Sequence, residues 1–228
     1  MRYVVITGVS RGLGEALLNQ LLAEPDTTVL ALGRTFTDNQ RMLAGPKLIL
    51  RHCELAEPST LPTAPELGEL ITDADEIVLI HNAAVVGPIG AVGTLPADEL
   101  LAAVTVNLTA PVLLTNTLLA ALPPRARQVR IMFVSSGAAH RVIDGWSAYS
   151  ATKRGGEEFF AHVAAQHADD PRVSVVSVNP GVMATGMQEA IRGADFAGRQ
   201  RFQDLYDNDE LPDPAAVAAH LIAEHLKA

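Results

Sequence analysis

Two rhythms of apolar residues alternate along this chain. Short, largely β-branched runs occur at 3–7 (YVVIT), 28–32 (TVLAL), 47–51 (KLILR), 76–81 (EIVLIH), 130–135 (RIMFVS) and 173–178 (VSVVSV). Between them lie longer stretches with helical period, clearest at 12–23, where Leu13, Leu17, Leu18, Leu21 and Leu22 share one side. Further helices are predicted at about 98–122, stopped by Pro123 and Pro124, and at about 147–168. Strands apolar throughout are covered on both faces, as in a parallel sheet. Their alternation with helices predicts right-handed crossovers and an α/β, doubly wound parallel sheet of six strands with helices on both faces. The proline-bearing segment 57–65 reads as a surface loop. Residues 186–208, with Met187, Ile191, Phe196 and Phe202, show neither period and read as a mobile lid. The end, 220–228, reads as helix, with no seventh strand after it.

Composition narrows this picture. At 228 residues and 48% hydrophobic, the chain suits a single domain spanning 1–228. Its 17 Lys and Arg against 26 Asp and Glu leave a formal charge of -9, which argues against nucleic acid as partner. A single cysteine, Cys53, excludes an internal disulfide framework. The start runs into a strand without a signal pattern, and no apolar run reads as long enough for a bilayer, so a cytoplasmic protein without a membrane partner is expected. No metal site is read.

The first strand-to-helix turn, TGVSRGLG (7–14), carries Gly8, Gly12 and Gly14. Glycines there let backbone amides approach a pyrophosphate, whose charge also favours the helix N-terminus. The spacing is GxxxGxG rather than GxGxxG. About 20 positions on, where an acidic residue would hold an NAD ribose, stands Arg34, with Arg11 inside the turn as a second guanidinium. This pattern favours a 2′-phosphate, hence NADP(H) as cofactor. Downstream, Tyr149 and Lys153 are four apart in GWSAYSATKRGG and share one helix face. Moving a phenol about 2 to 3 pKa units toward neutrality takes roughly 3 to 4 kcal/mol. An ammonium about 4 to 5 Å away at an effective dielectric near 20 supplies roughly that amount.

Six motifs in order, TGVSRGLG, HNAA (81–84), VNLT (106–109), VSSGA (134–138), YSATK (149–153) and NPGVMAT (179–185), resemble those of the short-chain dehydrogenase/reductase family along nearly the whole chain. The resemblance implies a Rossmann-type fold and an NADP-dependent carbonyl reductase. It casts Tyr149 as proton donor to the substrate carbonyl and Lys153 as its partner, also holding the nicotinamide ribose. Ser136, thirteen residues before Tyr149, would fix the substrate oxygen, with Ser135 as the alternative. Asn107 matches the residue that holds a relay water to Lys153. Cofactor contacts carried over are Gly8, Ser10, Arg11, Gly12, Leu13, Gly14, Arg34, Glu54 in place of the usual Asp, Leu55, Asn82, Ala83, Val182 and Thr185, besides Tyr149 and Lys153.

The stretches DGWSAYSATK, PGVMATGMQ and LPDPAAVAAHL look most similar to bacterial benzil reductases and sepiapterin reductases. That implies reduction of a small ketone or α-diketone to the hydroxy compound. Trp146, three before Tyr149, would wall an aromatic substrate pocket. Asp213 resembles an acidic pterin anchor, but before Pro214 a helix N-cap is the preferred reading. Without the seventh strand through which family tetramers associate, a homodimer is expected. Three alternatives remain: a 3-oxoacyl carrier-protein reductase, a non-catalytic dinucleotide-binding regulatory protein, and an epimerase or dehydratase.

Overall fold

The structure, a computed structural model, describes residues 1–226. Six strands, β1 (Arg2–Thr7), β2 (Thr27–Gly33), β3 (Leu48–His52), β4 (Glu76–His81), β5 (Gln128–Val134) and β6 (Val173–Val178), form one parallel sheet in the order β3-β2-β1-β4-β5-β6. Side chains of a strand point alternately to its two faces, so a strand apolar at every position feeds two cores. In β1, Tyr3 and Val5 enter one buried cluster and Val4 and Ile6 the other. The second cluster is closed by Leu17, Leu18 and Leu21 of helix α1 (Gly12–Ala23) and by Ala218 and Leu221 of the late helix Pro214–Leu221. Each such side chain, fully buried, contributes about 1.5–3 kcal/mol. Strand order reverses between β1 and β4, and there the strand ends splay into a crevice.

Short helices α2 (Asp38–Leu43) and α3 (Ala64–Ile71) were not expected from the pattern. Each is too brief to show a period, and each starts at a capping box, Thr37 with Gln40 and Thr63 with Glu66. Helix α3 begins inside the predicted 57–65 loop, which also contains a 3₁₀ turn at Pro58–Thr60. The predicted helix near 98–122 is α4 (Ala97–Val104), a π-helical turn (Thr105–Thr109) and α5 (Ala110–Ala120) in continuous succession. This corrects the reading that no apolar run could cross a bilayer: among the described residues, the helix Ala97–Ala120 has the length and composition to do so. Here Leu114 and Leu118 lie in the core against Leu79 and Ile131 of the sheet.

Helix α6 (Ser147–Gln166) packs beside β5. A methyl at Gly156 would overlap the Phe133 ring, which is why this helix tolerates a glycine in its interior. The 186–208 segment forms two helices, α7 (Gly186–Gly193) and α8 (Arg199–Asp207), rather than an irregular lid. Their Ile191 and Phe202 pack on Trp146 and Tyr149, over the crevice, leaving β6 paired with β5 alone. Helix α9 (Pro214–Leu221) continues as a π turn to Leu226; the predicted helix over 220–228 extends beyond the described residues at Lys227 and Ala228. Asp213 caps α9, its Oδ1 accepting from the Ala215 amide at 3.0 Å.

Candidate active site

The crevice is a cleft of about 670 Å³ running from the glycine turn past β2 and β3 to Tyr149. At its near end Gly8 has φ +74° and Gly12 φ +57°, left-handed conformations that side chains resist. A Cβ on Gly8 would stand 2.8 Å from the Ala83 Cα, and one on Gly14 would collide with the Gly8 carbonyl. Asn82 stitches this turn to β4: its Nδ2 donates to Thr7 O at 3.2 Å and Gly8 O at 2.9 Å, while the Asn82 and Ala83 amides donate to Thr7 Oγ1. Gly8, Ser10, Arg11, Gly12, Leu13 and Gly14 all line the cleft.

Arg34 and Glu54 face each other across the cleft where β2 and β3 end, Nε to Oε2 at 3.5 Å. Arg34 is 66% exposed, so this pair is weak and open to competition by another anion. Arg11 reaches the start of α7, its Nη1 3.3 Å from where a Gly186 Cβ would be. Leu55 and Thr185 also line the cleft, but Val182 packs into the aromatic cluster instead.

At the far end, α6 carries Tyr149 and Lys153, and the turn after β5 carries Ser136. Burial pushes the Tyr149 phenol up, and the nearby Ser136 side chain draws it partly back. Lys153 is 1% exposed; burial pulls it down to about 7, against which Glu157 raises it. Its Nζ donates to Val134 O at 2.7 Å and lies 5.9 Å from the centre of the Tyr149 ring. From spacing alone, Lys153 is expected to acidify Tyr149. Here burial has weakened the ammonium and the Val134 carbonyl holds it, and the side chain that draws the phenol down is Ser136.

Asn107 is fully buried in the π turn, with both ends of its amide engaged: Oδ1 accepts from Val85 N at 2.9 Å and Nδ2 donates to Val85 O at 2.8 Å and Thr152 Oγ1 at 3.2 Å. It fastens the helix to the segment after β4. Ser135 does not share the position of Ser136; its Oγ donates to Glu157 Oε1 at 2.5 Å. Trp146 is buried edge-on to Tyr149, centroids 5.6 Å apart, and stacks on Phe202 at 5.4 Å.

Glu157 and Gln188 belong to the site although the motifs assign neither of them a role. Glu157 stands four residues beyond Lys153 and eight beyond Tyr149, on the same helix face, so the periodicity was available. Gln188 of α7 lines the cleft with a buried Oε1 lacking a partner among the described residues. It closes the PGVMATGMQ stretch, whose resemblance implies no role for it.

A glycine turn at the strand-order reversal and a Ser-Tyr-Lys group across one cleft define a dinucleotide-dependent oxidoreductase. The short chain dehydrogenase family profile matches residues 2–195, and the chain belongs to this family, whose members bind a nicotinamide dinucleotide. It is 34% identical over 230 residues to a benzil reductase ((S)-benzoin forming) of Bacillus cereus, covering 96% of this chain and 91% of that protein. It is also 34% identical to the Bacillus subtilis (strain 168) enzyme of the same name over 233 residues, covering 98% and 93%. Sepiapterin reductase of Bos taurus is 29% identical over 236 residues, covering 96% and 87%. Among solved structures, KRED1-Pglu superposes with a TM-score of 0.85 at 28% identity, covering 100% of this chain and 96% of the other. A short-chain dehydrogenase/reductase from Burkholderia vietnamiensis gives 0.71 at 30% identity, covering 88% and 95%.

Proposed function

We propose that the protein is an NADPH-dependent carbonyl reductase that converts a small ketone or α-diketone, benzil- or sepiapterin-like, to the hydroxy compound. The observation that carries this reading is that Ser136, Tyr149 and Lys153 line the same cleft as the glycine turn. Reduced nicotinamide, when bound, supplies hydride to the carbonyl carbon. Ser136 holds the carbonyl oxygen, and Tyr149 gives it a proton, so that no charged alkoxide has to persist in a buried site. Lys153 holds the ribose and returns the proton. The Asn107 side chain is committed to Val85 and Thr152, which supports a role in holding the π turn against the segment after β4.

Arg34 and Arg11 support the 2′-phosphate, which would displace Glu54 from Arg34. Trp146, Phe196 and Phe202 support an aryl-bearing substrate, with α7 and α8 as its lid. The names borne by the Bacillus relatives point the same way. A homodimer is supported by an apolar groove lined by Leu100, Val104, Leu108, Ala148 and Ala151, bordered by the exposed Leu101.

The test follows loss of NADPH absorbance with benzil and a panel of α-diketones. Turnover at rates well above those with NADH is expected. Tyr149→Phe should lower kcat by about 10³-fold or more while NADPH binding stays within a few-fold. Full activity in that variant would remove the mechanism, and cofactor binding without turnover of any carbonyl would favour the regulatory reading.

A further inference from the structure

Behind the Tyr149 and Lys153 pair lies a polar cluster that the reaction as described does not use. Glu157, with its side chain 18% exposed, has both carboxylate oxygens occupied. Oε1 accepts from Ser135 Oγ at 2.5 Å, and Oε2 lies 2.8 Å from His140 Nε2. His140 Nδ1 in turn lies 2.9 Å from Arg154 Nη1 at the surface. Three separate segments meet here: α6 supplies Glu157 and Arg154, the residue following β5 is Ser135, and the 3₁₀ turn Gly137–His140 supplies His140. Ser136, which lines the cleft with Tyr149, sits between the last two.

We propose that Glu157 is a positioning residue for the reaction: it clamps the turn that carries Ser136 through Ser135 and His140, and supplies the counter-charge for the Lys153 ammonium. The inference rests on the reading of Ser136, Tyr149 and Lys153 given above. Geometry supports the clamp directly, because Ser135 and His140 bracket Ser136 in sequence and both are tied to one carboxylate. The counter-charge follows from what surrounds Lys153. Burial disfavours its cation, Val134 offers a neutral carbonyl, and the Phe133 ring lies 4.9 Å away. His81 of β4 is buried and neutral, held down to about 3, and Tyr149 is a neutral phenol pushed up by burial. The anionic group that favours the ammonium is Glu157, one helical turn beyond Lys153 on the same face of α6.

Steady-state kinetics with NADPH and benzil across pH separate the two roles. In Glu157→Gln an amide oxygen can still accept from Ser135, but the charge is gone. The alkaline limb of kcat should then move down by about one pH unit, since Lys153 loses its proton sooner. Glu157→Asp keeps the charge but not the reach; its limb should stay in place while kcat falls about tenfold with KM little changed. Ser135→Ala should behave like the Asp variant. A limb that does not move in Glu157→Gln, with only the melting temperature lowered, overturns the counter-charge. Unchanged kcat in both Glu157→Asp and Ser135→Ala overturns the clamp. If Glu157→Gln does not fold, a limb displaced in Glu157→Asp refutes the proposal in its place. Tyr149→Phe run alongside keeps the outcomes apart: an active Phe variant condemns the underlying mechanism, an inactive one leaves the result to Glu157 alone.

Discussion

Lys153 is a cation enclosed in protein, and its side chain illustrates how a site departs from what stability alone would select. Its ordinary value of 10.5 falls to about 7 chiefly through burial. Between about 7 and 10.5 the unfolded chain therefore binds a proton that the folded one does not, so the group's contribution to stability rises with pH through that window. Replacing Lys153 with Met should raise the thermal midpoint at pH 6–7, by the equivalent of about 2–4 kcal/mol, while abolishing turnover. Calorimetry and the NADPH assay check the two halves. His81 acts at the acid side. Buried against Phe160 and bonded through Nε2 to Thr115 Oγ1 at 2.8 Å, it is held from 6.5 down to about 3, first by burial and second by Lys153. As pH falls from 6.5 toward 3, only the unfolded chain takes up this proton, and stability is lost. Melting curves across that range should flatten in a His81→Gln variant relative to the parent protein. Tyr149, Lys153 and the glycine turn were legible because their spacing follows from helix and turn geometry. The bond from Ser135 to Glu157 was not, since it joins two segments whose approach no local pattern encodes.

Among the elements, α6 shows two local preferences in conflict. Alanine is a better helix former than glycine by about 1 kcal/mol, so helix propensity alone favours Gly156→Ala. The Phe133 ring stands where the new methyl would go, and it is itself packed on Phe160 at 4.8 Å between centroids. Overpacking of this kind costs about 1–3 kcal/mol and should win, giving a net loss in denaturant melts. Helix α9 offers the opposite case. Asp213→Ala removes a cap whose bond lies within the element, and about 1 kcal/mol of stability should go with it, without change in kcat. Strands and long helices were readable because their period repeats over several turns. The short helices α2, α3, α7 and α8 were missed because six to nine residues hold too few turns for a period to emerge.

At the scale of the whole molecule, one helical layer has an unfilled apolar side. Leu101, 68% exposed, and the half-exposed Val104 and Leu113 lie on α4 and α5, beside the groove that runs along α6. Two copies of the 24.1 kDa chain joined there would behave in solution as a particle of twice that mass. Light scattering should report such a dimer, and Val104→Asp should shift it toward monomer by placing a charge in a contact that excludes water. A stable tetramer in the parent protein would contradict this arrangement.

The sequence by itself determined the sheet: six apolar strands separated by helices admit few topologies, because each strand must be covered on both faces and each crossover is right-handed. It also determined the glycine turn, whose conformation no other residue adopts without strain. Only the tertiary structure decided that Ser135 is tied to Glu157, that the same carboxylate also takes His140, and that Asn107 is spent on Val85. These outcomes depend on distances between segments far apart in the chain, and such distances are set by how β4, β5 and α6 pack, not by any preference within each.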